Sequence, residues 1–114
     1  MAFANIVTVK NDQTYQISPD IKAFSLLDLG FIKNNAGTFS HTIALEPAKG
    51  FASSRKLKLT FAKDLSGFKI ALLSGNEALN VDIFSDSKDQ ALVEQYHYQM
   101  QQLLKRKVIM AAED

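Results

Sequence analysis

The chain has 114 residues, 46% of them apolar and 22% charged, a composition that fits one globular domain and excludes disordered, collagen-like and coiled-coil classes. Thirteen basic residues against twelve acidic ones give a net charge of +1, so nothing in the overall charge calls for nucleic acid or another polyanion as partner. With no cysteine, disulfides, thiolate metal sites, iron–sulfur clusters and a cysteine nucleophile are all excluded.

The N-terminal stretch MAFANIVTVKND has no basic region, and its apolar character stops at Lys10. That is too short for a signal peptide or a membrane span, so the expectation is a cytoplasmic protein with no membrane contact. Phe3 to Val9 is rich in β-formers, Lys10 to Gln13 supplies a turn, and Thr14 to Ser18 alternates with Tyr15 and Ile17 on one face; the pattern predicts a hairpin. Pro19 interrupts it, and a short strand is expected over Ile21 to Phe24. Ser25 and Asp28 have capping-box-like spacing and Gly30 suits a left-handed stop, so residues 25–30 read as one helical turn, with a strand over 21–30 as the alternative.

The turn Asn34-Asn35-Ala36-Gly37 opens a strand from Thr38 to Glu46 in which Phe39, His41, Ile43 and Leu45 share a face. Pro47 ends that strand, and residues 48–54 read as a loop. Arg55 to Ala62 alternates again, with Leu57, Leu59 and Phe61 turned inward and Lys56, Lys58 and Thr60 turned to solvent. Two copies of Leu-Ser-Gly bracket a strand from Phe68 to Leu73, and Val81 to Phe84 reads as a last short one. About seven strands joined by segments too short for a crossover helix predict mostly antiparallel pairing.

Ser87 and Gln90 repeat the capping-box spacing, Asp86 and Asp89 put negative charge at the start of a helix, and Lys105, Arg106 and Lys107 put positive charge at its end. A helix is predicted over about 87–111. Its residues Leu92, Tyr96, Met100, Leu103 and Met110 fall within a sector of about 80°, widened by Val93, Leu104 and Ala111. Lys107 lies near the middle of this stripe and is expected to snorkel. The expected fold is α+β: a single domain, 1–114, with mostly antiparallel sheet or sheets of about seven short strands (β-rich over 1–85) packed on one long C-terminal helix whose end projects.

Chemistry is sparse. The stretch EQYHYQMQQ (94–102) places His97 between two tyrosines, but on a helix Tyr96 faces the sheet, Tyr98 points away and His97 falls at the rim, so the three cannot form one cluster. His41 lies on an apolar strand face. It reads first as a neutral core histidine hydrogen-bonded within the core, and second as a pocket-lining residue with Asp28, otherwise a helix cap, as a nearby carboxylate. The loop Lys49 to Arg55, with Ser53, Ser54 and Arg55, is the best anion-binding candidate, while Lys56, Lys58 and the 105–107 triplet have local explanations as solvated charges. No spacing supports a metal site built from His41 and His97, and no nucleotide, dinucleotide or serine-hydrolase signature is present, so no cofactor is expected.

Read in order, TYQISPDIK (14–22), SLLDLGF (25–31), NNAGTFSH (34–41) and KLKLTFAKDLSGFKI (56–70) resemble a small uncharacterised protein family of Gram-positive bacteria described as "putative amino acid metabolism". The resemblance covers most of residues 10–85. It implies an α+β domain with sheets packed on one long helix and a role in amino acid metabolism, sulfur amino acids included, and it brings no catalytic or ligand residues with it. Two expectations of different class follow: a non-catalytic accessory module that binds a small metabolite or a partner enzyme, and a small enzyme with a pocket lined by His41. A homodimer built on the exposed part of the helix is a third.

Overall fold

The computed structural model describes residues 3–112. In chain order these form β1 (Ile6–Thr8), β2 (Thr14–Ile17), α1 (Ala23–Asp28), β3 (Ile32–Lys33), β4 (Phe39–Ala44), β5 (Lys56–Phe61), β6 (Phe68–Leu73), α2 (Gln90–Lys105) and β7 (Ile109–Ala111), with single 3-10 turns at Pro47–Lys49 and Ser87–Asp89. All strand pairs are antiparallel: β3-β4-β5-β6 make a four-stranded sheet in sequence order, and β2 lies between β1 and β7 in a three-stranded one. A bridge between Ala4 and Phe68 links the two sheets. The architecture is the expected α+β, two antiparallel sheets and a long helix near the C-terminus.

Register decides which residues face the helix. Phe39, His41 and Ile43 stand opposite Phe61, Leu59 and Leu57, which in turn stand opposite Phe68, Ile70 and Leu72. Because strand side chains alternate, all nine point to one face. The α2 residues Leu92, Tyr96, Met100 and Leu103, none more than 6% exposed, join that face in one core.

The number of strands agrees with the sequence reading, but two members differ. Residues 21–24 are not a strand: Ile21 N–H closes a turn onto the Ser18 carbonyl, and α1 begins at Ala23. Its start has no side-chain cap, and Ser25 is buried inside the helix instead of capping it. Residues 81–84 form no strand either, because the Asp82 carboxylate accepts the Phe84 N–H in a local turn that competes with ladder pairing. Their places are taken by β3 and β7.

The largest departure is at the end of α2. The helix stops at Lys105, Lys107 takes a left-handed conformation (φ 59°), and residues 109–111 return as β7 against β2. Lys107 N–H bonds to the Leu104 carbonyl and Val108 N–H to that of Leu103, a Schellman closure with lysine in the position usually held by glycine. The physical reason lies in the wheel. A continued helix would turn Lys107 into the core and carry Val108 and Ile109 round to solvent, whereas the reversal exposes Lys107 and leaves Val108 and Ile109 0% and 1% exposed. Two such burials, at roughly 1.5–3 kcal/mol each, outweigh a left-handed residue at roughly 1–2 kcal/mol. The helix therefore does not run on past Lys105 as a projecting end.

Two smaller expectations also change. The cap before α2 is Asp86, whose carboxylate accepts the Lys88 N–H, and not Ser87. Lys56 is on the outer sheet face, yet it is 1% exposed, because flanking loops fold over it: Nζ donates to the carbonyls of Ser54 at 3.0 Å and Gly75 at 2.6 Å and lies 4.7 Å from the Phe51 ring centroid. Among the described residues no helix is long and apolar enough to cross a membrane.

Candidate functional site

A single helix is about 10 Å across, while four strands at about 4.8 Å spacing present a wider face, so α2 cannot cover the sheet completely. Two clefts border the sheet.

The first, of about 220 Å³, opens between α2, the end of α1 and strands β4 and β5. Its apolar wall is Phe31, Ile43, Leu59 and Leu103, and its polar groups are His41, Asp28, Gln99, Gln102 and Tyr98. His41 and Asp28, which the second of the two sequence readings put beside each other, both line this cavity. His41 is half-buried, with its ring centroid 5.3 Å from that of Phe31. Burial holds its pKa below the ordinary histidine value, so the ring is neutral at pH 7. Among the described residues His41 has no side-chain hydrogen-bond partner in the fold; the core-histidine reading fails on that point, and the ring nitrogens are left for whatever enters the cleft.

The backbone explains how close these groups come. α1 ends in a Schellman closure, Gly30 N–H to the Leu27 carbonyl and Phe31 N–H to that of Leu26, with Gly30 at φ +100°. A Cβ on Gly30 would stand 3.2 Å from His41 Cε1, so glycine suits the left-handed turn and leaves the ring beside it uncrowded. The same closure leaves Asp28, the last residue of α1, at the cleft mouth, where Arg106 Nη2 donates to its Oδ2 at 2.9 Å.

The second cleft, about 360 Å³, lies beside β6, with Val9, Ile70, Ala71, Leu72, Val81 and Phe84 as its apolar lining and Lys10, Asn80 and Asp82 as its polar groups. Nothing in the sequence pattern pointed to it, since its residues come from three separate segments.

The loop residues proposed for anion binding are placed otherwise. Arg55 is held between two carboxylates: Nη2 donates to Glu46 Oε1 at 3.0 Å and to Asp89 Oδ1 at 2.8 Å, Nη1 to Asp89 Oδ2 at 3.0 Å, and Nε to Glu46 Oε2 at 3.2 Å. These bonds pull the Glu46 carboxyl down to about 2 and push the Arg55 guanidinium up. Ser54 is fully buried, donating to the Arg55 carbonyl and accepting from Glu46 N–H, while Ser53 is exposed. Arg55 thus pins the start of α2 to the β4–β5 connection, and its charge is already matched.

One cluster went unseen in the sequence. The Asp12 carboxylate accepts from the hydroxyls of Tyr15 and Tyr96, both at 2.7 Å on Oδ2, and its Oδ1 lies 3.0 Å from His97 Nε2. Burial raises the Asp12 pKa, but the bonds from His97, Tyr15 and Tyr96 outweigh it and leave the carboxyl below its ordinary value. Desolvation and the adjacent carboxylate push the Tyr15 hydroxyl up to about 12 and raise that of Tyr96 further. As the wheel required, Tyr98 is not part of this group. His97 does have a partner, but that partner comes from a turn 85 positions away, and only the fold brings the two together. The two histidines belong to separate clusters.

No curated protein matches the chain. A solved structure from Lactobacillus plantarum, described as a DUF1831 family protein, matches at a TM-score of 0.89 and 33% sequence identity, covering 98% of this chain and 99% of that one. The profile of the DUF1831 family, described as "putative amino acid metabolism", matches residues 1–110. With the sequence match running through both sheets and the helix, and the fold shared from end to end, the protein belongs to the DUF1831 family.

Proposed function

We propose that this protein is a cytoplasmic small-metabolite-binding module of amino acid metabolism, and that its ligand occupies the cleft beside His41. The observation that carries this is a neutral histidine without a hydrogen-bond partner among the described residues, lining a cavity with an apolar wall and a rim of amide, hydroxyl and carboxylate groups. Specific small-molecule sites have that make-up, an apolar cavity with a few convergent polar groups. The family description supplies the metabolic class. Binding is favoured over catalysis by His41 because a general base needs an orienting partner; among the described residues none hydrogen-bonds its ring, and Asp28 is engaged with Arg106.

The test is a chemical-shift titration of the labelled protein with amino acids and their metabolic relatives. Saturable shifts at His41, Tyr98 and Gln102 are expected, lost in a folded His41→Gln variant. A panel that moves none of these resonances removes the proposal. Turnover of any member of the panel that His41→Gln abolishes would favour the enzyme reading instead.

A further inference from the structure

Asp28, which lines the cleft, is paired with Arg106, which reaches it from just beyond the end of α2 and is not itself part of the lining; this pair specifies the ligand more closely. Asp28 and Arg106 side chains are 58% and 38% exposed, so their mutual contact adds little to stability. Among the described residues neither side chain has another hydrogen bond within the fold, which leaves the second oxygen of Asp28 and the remaining guanidinium donors open. Two opposite charges held 2.9 Å apart, one of them lining a cleft with an apolar wall, are the complement of a molecule that carries an ammonium and a carboxylate on one carbon and an apolar group beyond it.

We propose that the cleft binds a free α-amino acid by opening the Asp28–Arg106 pair, the ammonium going to Asp28 and the carboxylate to Arg106. Each protein charge exchanges one partner for another, so no charge is left unpaired when the ligand enters. The planar fork of Arg106 suits a bidentate carboxylate contact. The side chain then points toward Phe31, Ile43, Leu59 and Leu103, which favours leucine or methionine over acidic or basic side chains, with neutral His41 and the amides of Gln99 and Gln102 at the rim. A cleft of about 220 Å³ is below the roughly 300–1,000 Å³ of sites for larger ligands, in keeping with one amino acid and not a nucleotide cofactor.

This inference rests on the cleft being the binding site, and the experiment separates the two. The labelled protein is titrated with L-leucine, L-methionine, 4-methylpentanoate and isopentylamine, the last two being leucine without its ammonium and without its carboxylate. L-Leucine and L-methionine are expected to shift His41 saturably, with both truncated compounds weaker by about tenfold or more, since each loses a charged hydrogen-bonded contact. Asp28→Asn and Arg106→Gln, both at the surface, should stay folded and weaken leucine to a similar degree. Equal binding of all four compounds with shifts at His41 would overturn the zwitterion inference while leaving the cleft as a site. No shift with any of the four would overturn the zwitterion inference and leave the cleft to the wider panel, while shifts confined to the Lys10–Asp82 cleft would overturn both.

Discussion

Gly30 answers to two demands, a left-handed turn at φ +100° and the His41 ring 3.2 Å from where its Cβ would be. Gly30→Ala is expected to cost about 1–2 kcal/mol in urea unfolding and to move the His41 ring resonances; an unmoved ring would place His41 away from this turn. At the same scale, Glu46 titrates in the unfolded chain near 4.5 and in the fold near about 2, so between these values the unfolded chain binds more protons. The stabilisation is complete above pH 4.5 and is lost as pH falls toward 2. Asp12, also lowered, acts in the same direction below its ordinary 3.8. Arg55→Gln should cost about 2 kcal/mol at neutral pH by leaving Glu46 and Asp89 facing each other, and should flatten the acid limb of the stability profile. An unchanged acid limb would mean that the Arg55 contacts do not hold Glu46 down. Gly30 was legible as a helix stop from its neighbours. Arg55 was not legible as a clamp, because its partners Glu46 and Asp89 flank it at a distance in sequence and a cation in a serine-containing loop reads equally well as an anion site.

The elements were legible where one pattern dominated. β4, β5 and β6 alternate cleanly, and the α2 stripe from Leu92 to Leu103 was read correctly. The end of α2 was misread because positive charges after a stripe suit both a continuing helix and a helix C-terminus. The informative residue was Lys107 itself, which a continuing helix would have turned inward. Lys107→Gly is expected to raise stability by about 1 kcal/mol, since glycine takes the left-handed position without strain, and a shift in the urea midpoint measures it. Ile109→Ala should cost about 3 kcal/mol. A cost below about 0.5 kcal/mol, the range of surface changes, would place Ile109 outside the core. β3, of two residues, and the loss of a strand at 81–84 lay beyond what periodicity resolves, because so short a pairing depends on its neighbour and an aspartate two residues before an N–H offers the backbone a competing bond.

At the scale of the whole molecule, three elements converge on the Asp12 carboxylate: the β1–β2 turn that carries it, β2 through Tyr15, and α2 through Tyr96 and His97. Asp12→Ala would strand two tyrosine hydroxyls in the core and is expected to cost about 3 kcal/mol, with faster amide exchange in the hairpin and in α2 together. Faster exchange in the hairpin alone would show that the carboxylate does not join the two. The sequence by itself determined the class of the fold, the antiparallel pairing, the apolar face of the helix and the suspicion attached to His41, because each follows from local periodicity or from connection length. Tertiary structure alone decided that His41 and Asp28 share a cleft, that Arg106 pairs with Asp28, that Arg55 is already neutralised and that Asp12 holds His97. Those are meetings between residues far apart in the chain, fixed by strand register and by where the helix reverses, and no local pattern carries that information.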